Sequence, residues 1–203
     1  MALTQVIPAG MVTLRSLHRR DGREWMALRG ANAAWLNPWE ATAPNPLRPA
    51  GGFPEYVKAM TKQAKAGSAI PLVIELGGRI AGQVNVTGIS GGSQLGGSVG
   101  YWIGREFAGL GIMPTAVAMV TDYCFDVRDL HRIEVNIRPG NERSLRVVGK
   151  LGFRDEGLRA RYLHISQGWR DHRTFALTQG EIPEGVLARY LGSDQAPTRD
   201  QAP

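Results

Sequence analysis

Apolar and polar positions alternate over Val12-Thr-Leu-Arg-Ser-Leu17, which predicts a half-buried strand. Asp21 stands ahead of Trp25, Met26 and Leu28, a series that leads toward Trp35 and predicts a helix capped by Asp21. Residues 41–54 hold four prolines and two glycines. They predict an irregular connection of ~14 residues, a length more typical of a functional loop than of a simple link. A second helix is predicted over Tyr56–Lys65, with Lys58, Lys62 and Lys65 on its wet side. Strands follow at Ile70–Leu76 and Arg79–Ile89, joined by Gly77-Gly78, a two-residue hairpin signal. The glycines from Gly91 to Gly97 predict a flexible turn, and Ser98–Ile103 a third strand. From Ile112 to Val127 apolar residues recur at helical spacing and predict one buried stripe. His131–Arg138 reads as a strand, Asn141–Leu151 as a helix, and Phe153 and Arg170–Leu177 as closing strands. A hairpin sheet early and strand–helix–strand units late predict an α/β (α+β) fold with a mixed sheet. The expected organisation is an N-terminal extension over 1–11, one domain over 12–191 and a disordered tail over 192–203. In that tail Asp-Gln-Ala-Pro occurs twice.

Composition narrows the class. With 203 residues, 43% hydrophobic and 21% charged, the chain suits one globular domain and excludes wholesale disorder. No apolar run approaches the ~18 residues of a membrane span, and Met1–Val12 lacks the basic-then-apolar pattern of a secretory signal. The single cysteine, Cys124, excludes an internal disulfide, and a cytoplasmic setting is expected. The formal net charge is +6. Between Arg128 and Arg173 there are 11 basic and 6 acidic residues, so this segment carries +5 of it. Such an excess suits a polyanionic partner (a phosphorylated cofactor, RNA or a ribosomal surface), while on charge alone it reads more simply as an Arg-rich solubilising surface.

The chemistry centres on Gly100-Tyr-Trp-Ile-Gly-Arg-Glu-Phe-Ala-Gly-Leu-Gly111, which joins a predicted strand to a predicted helix. Gly109 and Gly111 permit a tight bend and close backbone approach to a ligand, and Pro114 suits the first helical turn. The free N–H groups and the positive dipole end at such a helix start form an anion site. A dinucleotide fingerprint fits poorly, because its third glycine would fall at Pro114, and the phosphate-loop lysine is missing.

A second segment, Leu130-His-Arg-Ile-Glu-Val-Asn-Ile-Arg-Pro-Gly-Asn-Glu-Arg-Ser-Leu145, runs on to Lys150-Leu-Gly-Phe153 and Glu156-Gly157. Together with the glycine bend it resembles the GNAT superfamily of N-acetyltransferases. The likeness is closer to the RimJ/RimL type, which acetylates ribosomal protein N-termini. Asn136, Pro139-x-Asn141-x-Arg143-Ser144, Tyr162-Leu163 and Trp169-Arg170-Asp171-His172 carry this closer likeness, with Trp35-Leu-Asn-Pro-Trp-Glu40 as an opening motif. The resemblance covers about residues 12 to 180 in consistent order. It implies a GNAT-like single domain, with a mixed twisted sheet of six to seven strands flanked by helices. It also implies acetyl-CoA bound where two parallel strands, here Ser98–Ile103 and His131–Arg138, splay apart.

The cofactor contacts so implied are Trp102, Ile103, Arg105, Phe107, Ala108, Gly109, Leu110, Gly111, Ile112, Met113, Asn141 and Ser144. Glu106 stands where the family places Gln or Arg. A carboxylate facing phosphate would be repelled, so Glu106 is predicted to point away. Ser144 is the first candidate for the acid at the leaving sulfur, Tyr162 the competing one, and Glu40 a candidate partner or proton acceptor for the amine. Glu40 reads equally as a solvated loop carboxylate, and Tyr162 as a core aromatic. Trp39, Glu40, Asn85, Asn136, Asp171 and His172 are the substrate-side candidates, His172 also reading as a structural histidine. A backbone N–H near Ile103 is the candidate donor to the acyl oxygen. No metal set and no sequence-reading nucleic-acid surface is expected; Trp25, Trp35 and Trp39 read as core or cleft wall. The implied activity is transfer of acetyl to the N-terminal amine of a ribosomal protein by direct attack on the thioester. A possible ribosome contact would run through the basic surface. Two alternatives stay open: a small-molecule amine as acceptor, or a ribosome-associated acyl-CoA-binding protein with little catalysis.

Overall fold

Successive strands pair side by side from the first described residue onward. The computed structural model describes residues 2–44, 51–166 and 168–194. Strands β1 (Ala2–Ile7) and β2 (Gly10–Ser16) form a hairpin, paired from Ala2↔Arg15 to Ile7↔Gly10. Residues 2–11 are therefore part of the sheet and not an extension. Pro8 and Gly10 interrupt the alternation at the turn, which hides β1 from a periodicity reading. Helices α1 (Gly22–Ala31) and α2 (Ala33–Leu36) follow, with a 3-10 turn over Asn37–Trp39, then α3 (Phe53–Lys65). Residues 45–50 of the expected irregular connection lie outside the described residues.

Strands β3 (Ala69–Leu76), β4 (Arg79–Ser90) and β5 (Gly96–Ile103) lead to helix α4 (Ile112–Asp126). Gly77 and Gly78 both have positive φ, 57° and 84°, which closes the β3–β4 hairpin with the twist that strands favour. Strand β6 (Arg132–Ile137), helix α5 (Glu142–Leu151), strands β7 (Arg154–Ile165) and β8 (Gly168–Thr178) and helix α6 (Val186–Asp194) complete the fold. The tail expected from 192 instead continues α6 to 194, and 195–203 lie outside the described residues.

The eight strands run in the order β1-β2-β3-β4-β5-β6-β8-β7, and only the β5–β6 pair is parallel. The count exceeds the expected six to seven because of β1. A strand is expected at Phe153, but the length of β7 escapes a sequence reading because its residues from Arg154 to Leu158 are exposed and charged or mixed. Breaks in its register lie beside Gly157 (φ 106°) and Arg161 (φ 49°). Helix α4 also departs from expectation. Every residue from Ile112 to Thr121 is buried, so it is a central helix covered all round rather than a one-stripe helix.

Alternation along the central strands assigns two faces. Leu72, Ile74, Val84 and Val86 pack with α4, while Val73 and Ile80 pack with Leu17, Phe53 and Val57 on the α1–α3 side. Burying each such side chain contributes roughly 1.5–3 kcal/mol. On the α4 side, Asp122 accepts the Val186 (2.8 Å) and Leu187 (3.0 Å) N–H groups and so anchors the start of α6. Among the described residues no helix is long and apolar enough to cross a membrane.

Asp21, expected to cap α1, makes no side-chain cap to that helix. Its carboxylate is engaged elsewhere. It accepts two bonds from Arg15 (2.9 and 3.0 Å) and one from the His18 N–H (2.7 Å), and Arg15 also reaches Glu75 at 2.8 Å. Burial by itself would raise the Asp21 pKa, but the bonds from Arg15 and His18 outweigh it and hold the group below the usual carboxylate range. A lowered folded-state pKa stabilises the fold above the unfolded value and loses that contribution as pH falls through the folded one. Asp21→Asn is expected to destabilise by about 2–3 kcal/mol in urea unfolding at neutral pH. The wild type should lose stability more steeply than the variant below about pH 4.

Candidate active site

The parallel strands β5 and β6 are joined at only three residue pairs, Gly96↔Arg132, Gly97↔Ile133 and Ser98↔Glu134. Past Ser98 they part, and a cleft of about 1000 Å³ opens between them and through to both sheet faces. Asn136 sits at the fork. Its Nδ2 donates to Ser98 Oγ at 3.3 Å, and its Oδ1 accepts from Thr174 Oγ1 at 2.8 Å.

The pleat decides what each face presents. Asn85 pairs with Gly100 and Gln83 with Trp102, so these four share the α1–α3 face. Tyr101 and Ile103 fall on the α4 face and pack against its core. The ladder also alternates. A Cβ on Gly82 would come within 2.3 Å of the Trp102 carbonyl, so Trp102 bonds toward β4, as does the Gly104 N–H, which reaches the Ala81 carbonyl. The N–H groups of Tyr101 and Ile103 therefore lie on the open edge facing the parted strand. The Ile103 carbonyl on that edge is taken by Trp35 Nε1 at 3.0 Å.

The glycine bend closes the α4 end of the cleft. Gly109 (φ 84°) and Gly111 (φ 77°) occupy the left-handed region that side chains disfavour, and Gly111 is the N-cap of α4. The first N–H groups of the helix have no intrahelical partner, and Gly109, Gly111, Ile112 and Met113 at this fifteen-residue helix start line the cleft. Glu106 turns back as expected: its carboxylate accepts from Asn32 Nδ2 at 3.3 Å and is not among the cleft-lining groups. Across the cleft, Asn141 caps α5 by accepting the Ser144 N–H at 3.3 Å, which fixes the helix turn that carries Ser144 into the wall.

Charge is distributed unevenly around this opening. Arg138, Arg143, Arg146 and Lys150, all from the basic 128–173 segment, line it. Four other arginines of that segment are neutralised in ion pairs: Arg132 with Glu134 and Glu156, Arg154 with Glu156 and Glu181, Arg159 with Glu134, and Arg173 with Asp155. Four of the segment's eleven basic residues thus face the cleft.

Most of the residues singled out from sequence meet here. Trp102, Ile103, Phe107, Ala108, Gly109, Gly111, Ile112, Met113, Asn141 and Ser144 line the cleft, as do Trp39, Glu40, Asn85, Asn136 and His172. Four candidates do not line it. Arg105 lies over the Trp35 ring (5.9 Å), with its N–H on Asn32 Oδ1. Leu110 is at the exposed tip of the bend. Tyr162 stands edge-on to His172 (6.1 Å) with Arg159 over its ring, and Asp171 accepts the Arg161 N–H at 2.7 Å. Strand alternation turns Leu163 into the cleft and Tyr162 away from it.

Glu40 is not a free carboxylate, since it is ion-paired with Arg29, whose guanidinium stacks near Trp25 (4.9 Å) and Trp102 (5.1 Å). His172 is buried, and burial lowers its pKa. Its Nδ1 lies 3.0 Å from the Arg170 carbonyl, which can only accept, so the proton sits on Nδ1. Tyr101 escaped the sequence reading. Its hydroxyl donates to the Ser144 carbonyl (3.4 Å), and burial pushes the phenol well above its usual pKa. The alternation Gly100-Tyr101-Trp102 on a strand entering the cleft was the available signal. Cys124 packs in the core of α4 with its thiol pushed by burial up to about 12, and it does not line the cleft.

Residues 11–154 match the acetyltransferase (GNAT) domain family. The chain belongs to this family. It is an N-acetyltransferase that uses acetyl-CoA. Its sequence is 31% identical over 176 residues to the ribosomal protein uS5-alanine N-acetyltransferase of Escherichia coli (strain K12), covering 86% of this chain and 91% of that one. The probable N-acetyltransferase YjcK of Bacillus subtilis is 37% identical over 99 residues, so the matched region spans about half of each protein (49% and 55%). Among solved structures, Mycobacterium smegmatis RimJ in complex with CoA-disulfide superposes with a TM-score of 0.90 at 35% identity, covering 96% of this chain and 94% of that one.

The GNAT domain's residues fit the cofactor they imply. A bend that keeps its amides unencumbered suits a diphosphate, and the four cleft cations supply matching charge. Gly109→Val would impose about 1–3 kcal/mol of backbone strain at φ 84°, although a side chain there meets nothing within 4 Å. The expected result is at least about tenfold weaker CoA binding by calorimetry, with the thermal midpoint lowered by only a few degrees. Undiminished affinity would remove the bend from the cofactor site.

Proposed function

We propose that the acceptor is the N-terminal α-amine of a protein, and that this protein is ribosomal. The observation that carries the reading is the charge of the acceptor half. Glu40 is the one carboxylate among the described lining residues, and Arg29 already holds it. A polycationic small amine would find no free negative charge there. The remaining walls are aromatic and amide groups, namely Trp25, Tyr56, Trp102, Asn85 and Asn136, which suit an extended chain end. The likeness to a uS5-alanine N-acetyltransferase over 86% of the chain supports the same reading.

An α-amine has a pKa near ~7.7–8.0, so roughly a tenth or more of it is neutral at pH 7 without help. A strong base is unnecessary, and a water relay suffices. Acetyl-CoA supplies the acyl group as a thioester. The Ile103 N–H on the open edge of β5 is the fixed donor for the acyl oxygen. Ser144, held by the Asn141 cap and by Tyr101, delivers a proton to the sulfur. Tyr162, turned from the cleft, does not compete for that role. Because amine and acyl group reach the gap from opposite sheet faces, alignment supplies much of the acceleration.

Ser144→Ala is expected to lower kcat about ten- to hundredfold while changing the CoA dissociation constant by less than about twofold. Equal losses in both, or no loss in either, would remove the serine from the acid role. The acceptor is tested by incubating purified ribosomes with the enzyme and isotope-labelled acetyl-CoA, followed by mass spectrometry. Label at the N-terminus of a ribosomal protein is the expected outcome. Label confined to added spermidine or other small amines would contradict it.

A further inference from the structure

On the acceptor side of the cleft four side chains form a hydrogen-bond relay whose direction is fixed by chemistry. Trp25 Nε1 is a donor only, and it lies 2.7 Å from Gln83 Oε1, so the Gln83 amide oxygen must face Trp25. The Gln83 Nε2 then points the other way and donates to both Asn85 Oδ1 (2.8 Å) and the Tyr56 hydroxyl (2.7 Å). This sets the Asn85 amide in turn, leaving its Nδ2 to donate to the same hydroxyl at 3.3 Å. Tyr56 oxygen therefore accepts twice. No described residue accepts its proton. Gln83 is 1% exposed, which seals the relay from water on its inner side. Tyr56 and Asn85 both line the cleft, and Asn85 pairs across the ladder with Gly100 at the fork of β5 and β6.

We propose that Tyr56 is a specificity-determining residue, whose hydroxyl donates to the backbone carbonyl of the acceptor's first residue. This rests on the α-amine reading of the acceptor and deepens it. Among the described residues the relay offers donors to the cleft, so it rewards a group that accepts. A protonated amine has no lone pair, and a neutral amine has only the one needed for attack. The amide carbonyl next to an α-amine is the acceptor that an N-terminus has and a simple alkylamine lacks. A polar site built to bond one group discriminates against an analogue lacking it.

The test compares an alanyl peptide with its alkene isostere, in which CH=CH replaces the first amide and the primary amine is unchanged. Wild type is expected to show about tenfold lower kcat/KM on the isostere. Tyr56→Phe keeps the ring against Trp25 (5.7 Å) and Phe53 (6.4 Å). It should lose about tenfold on the peptide, chiefly in KM, and less than twofold on the isostere. Trp25→Phe keeps the hydroxyl but frees Gln83 to flip and accept from it, so the peptide preference should shrink about threefold even if Tyr56→Phe folds poorly. Equal losses on both substrates in Tyr56→Phe, or an unchanged peptide rate, would overturn the role of the hydroxyl alone. A wild type that transfers to neither peptide nor isostere yet acetylates spermidine would overturn the α-amine reading and this proposal with it.

Discussion

The fold depends on a ladder that stops. Strands β5 and β6 are adjacent in an otherwise continuous sheet and bond at three pairs only. Beyond that point the inner edge of β5 carries backbone groups inside the protein with no strand to meet them. Buried backbone polar groups require partners. Trp35 satisfies one of them, the Ile103 carbonyl, and Asn136 secures the fork by bridging Ser98 and Thr174. The N–H groups left on that edge are available to a ligand, which is how an interruption in secondary structure becomes a binding site.

Everything else about the site follows from which face of the sheet a residue occupies. The α4–α5 face brings a helix start, a bend of left-handed glycines and the cations Arg143, Arg146 and Lys150, so it suits phosphate. The α1–α3 face brings Trp25, Tyr56, Asn85 and Trp102 and one neutralised carboxylate. In the proposed reaction two chemically unlike reactants would thereby be sorted to opposite sides and meet only at the gap. Outside the cleft, ion pairs tie Arg132, Arg154, Arg159 and Arg173 to carboxylates of β6, β7 and the turn after β8.

Sequence conveyed the central strands, the long helices and the bend, because each has a periodicity or a glycine signature set by backbone geometry. Asn141 as a cap was legible from local chemistry, whereas Glu106 as an averted carboxylate followed from the repulsion a phosphate would impose, its partner Asn32 lying 74 positions away. The edge strands were not. Strand β1 is short and ends just before Pro8, and β7 is solvated and held by ion pairs, so neither shows a clear hydrophobic alternation. Asp21 was misread because three bonds to Arg15 and His18 on its N-terminal side outcompete a cap to the helix that follows. The Trp25–Gln83–Tyr56–Asn85 relay joins residues up to 58 positions apart and has no local signature. Tyr162 does not line the cleft because it lies in the register break of β7 between Arg159 and Leu163, and Asp171 of β8 is drawn to the Arg161 N–H at that same break.

The account stands on the amides of the bend and of the open β5 edge being the groups that hold the cofactor. Residue-resolved amide hydrogen exchange, recorded with and without saturating CoA, reports on them directly. The account predicts strong added protection at residues 109–113 and at Tyr101 and Ile103, with little change in the β1–β2 hairpin. Binding that saturates while those amides exchange at their unliganded rates would contradict it.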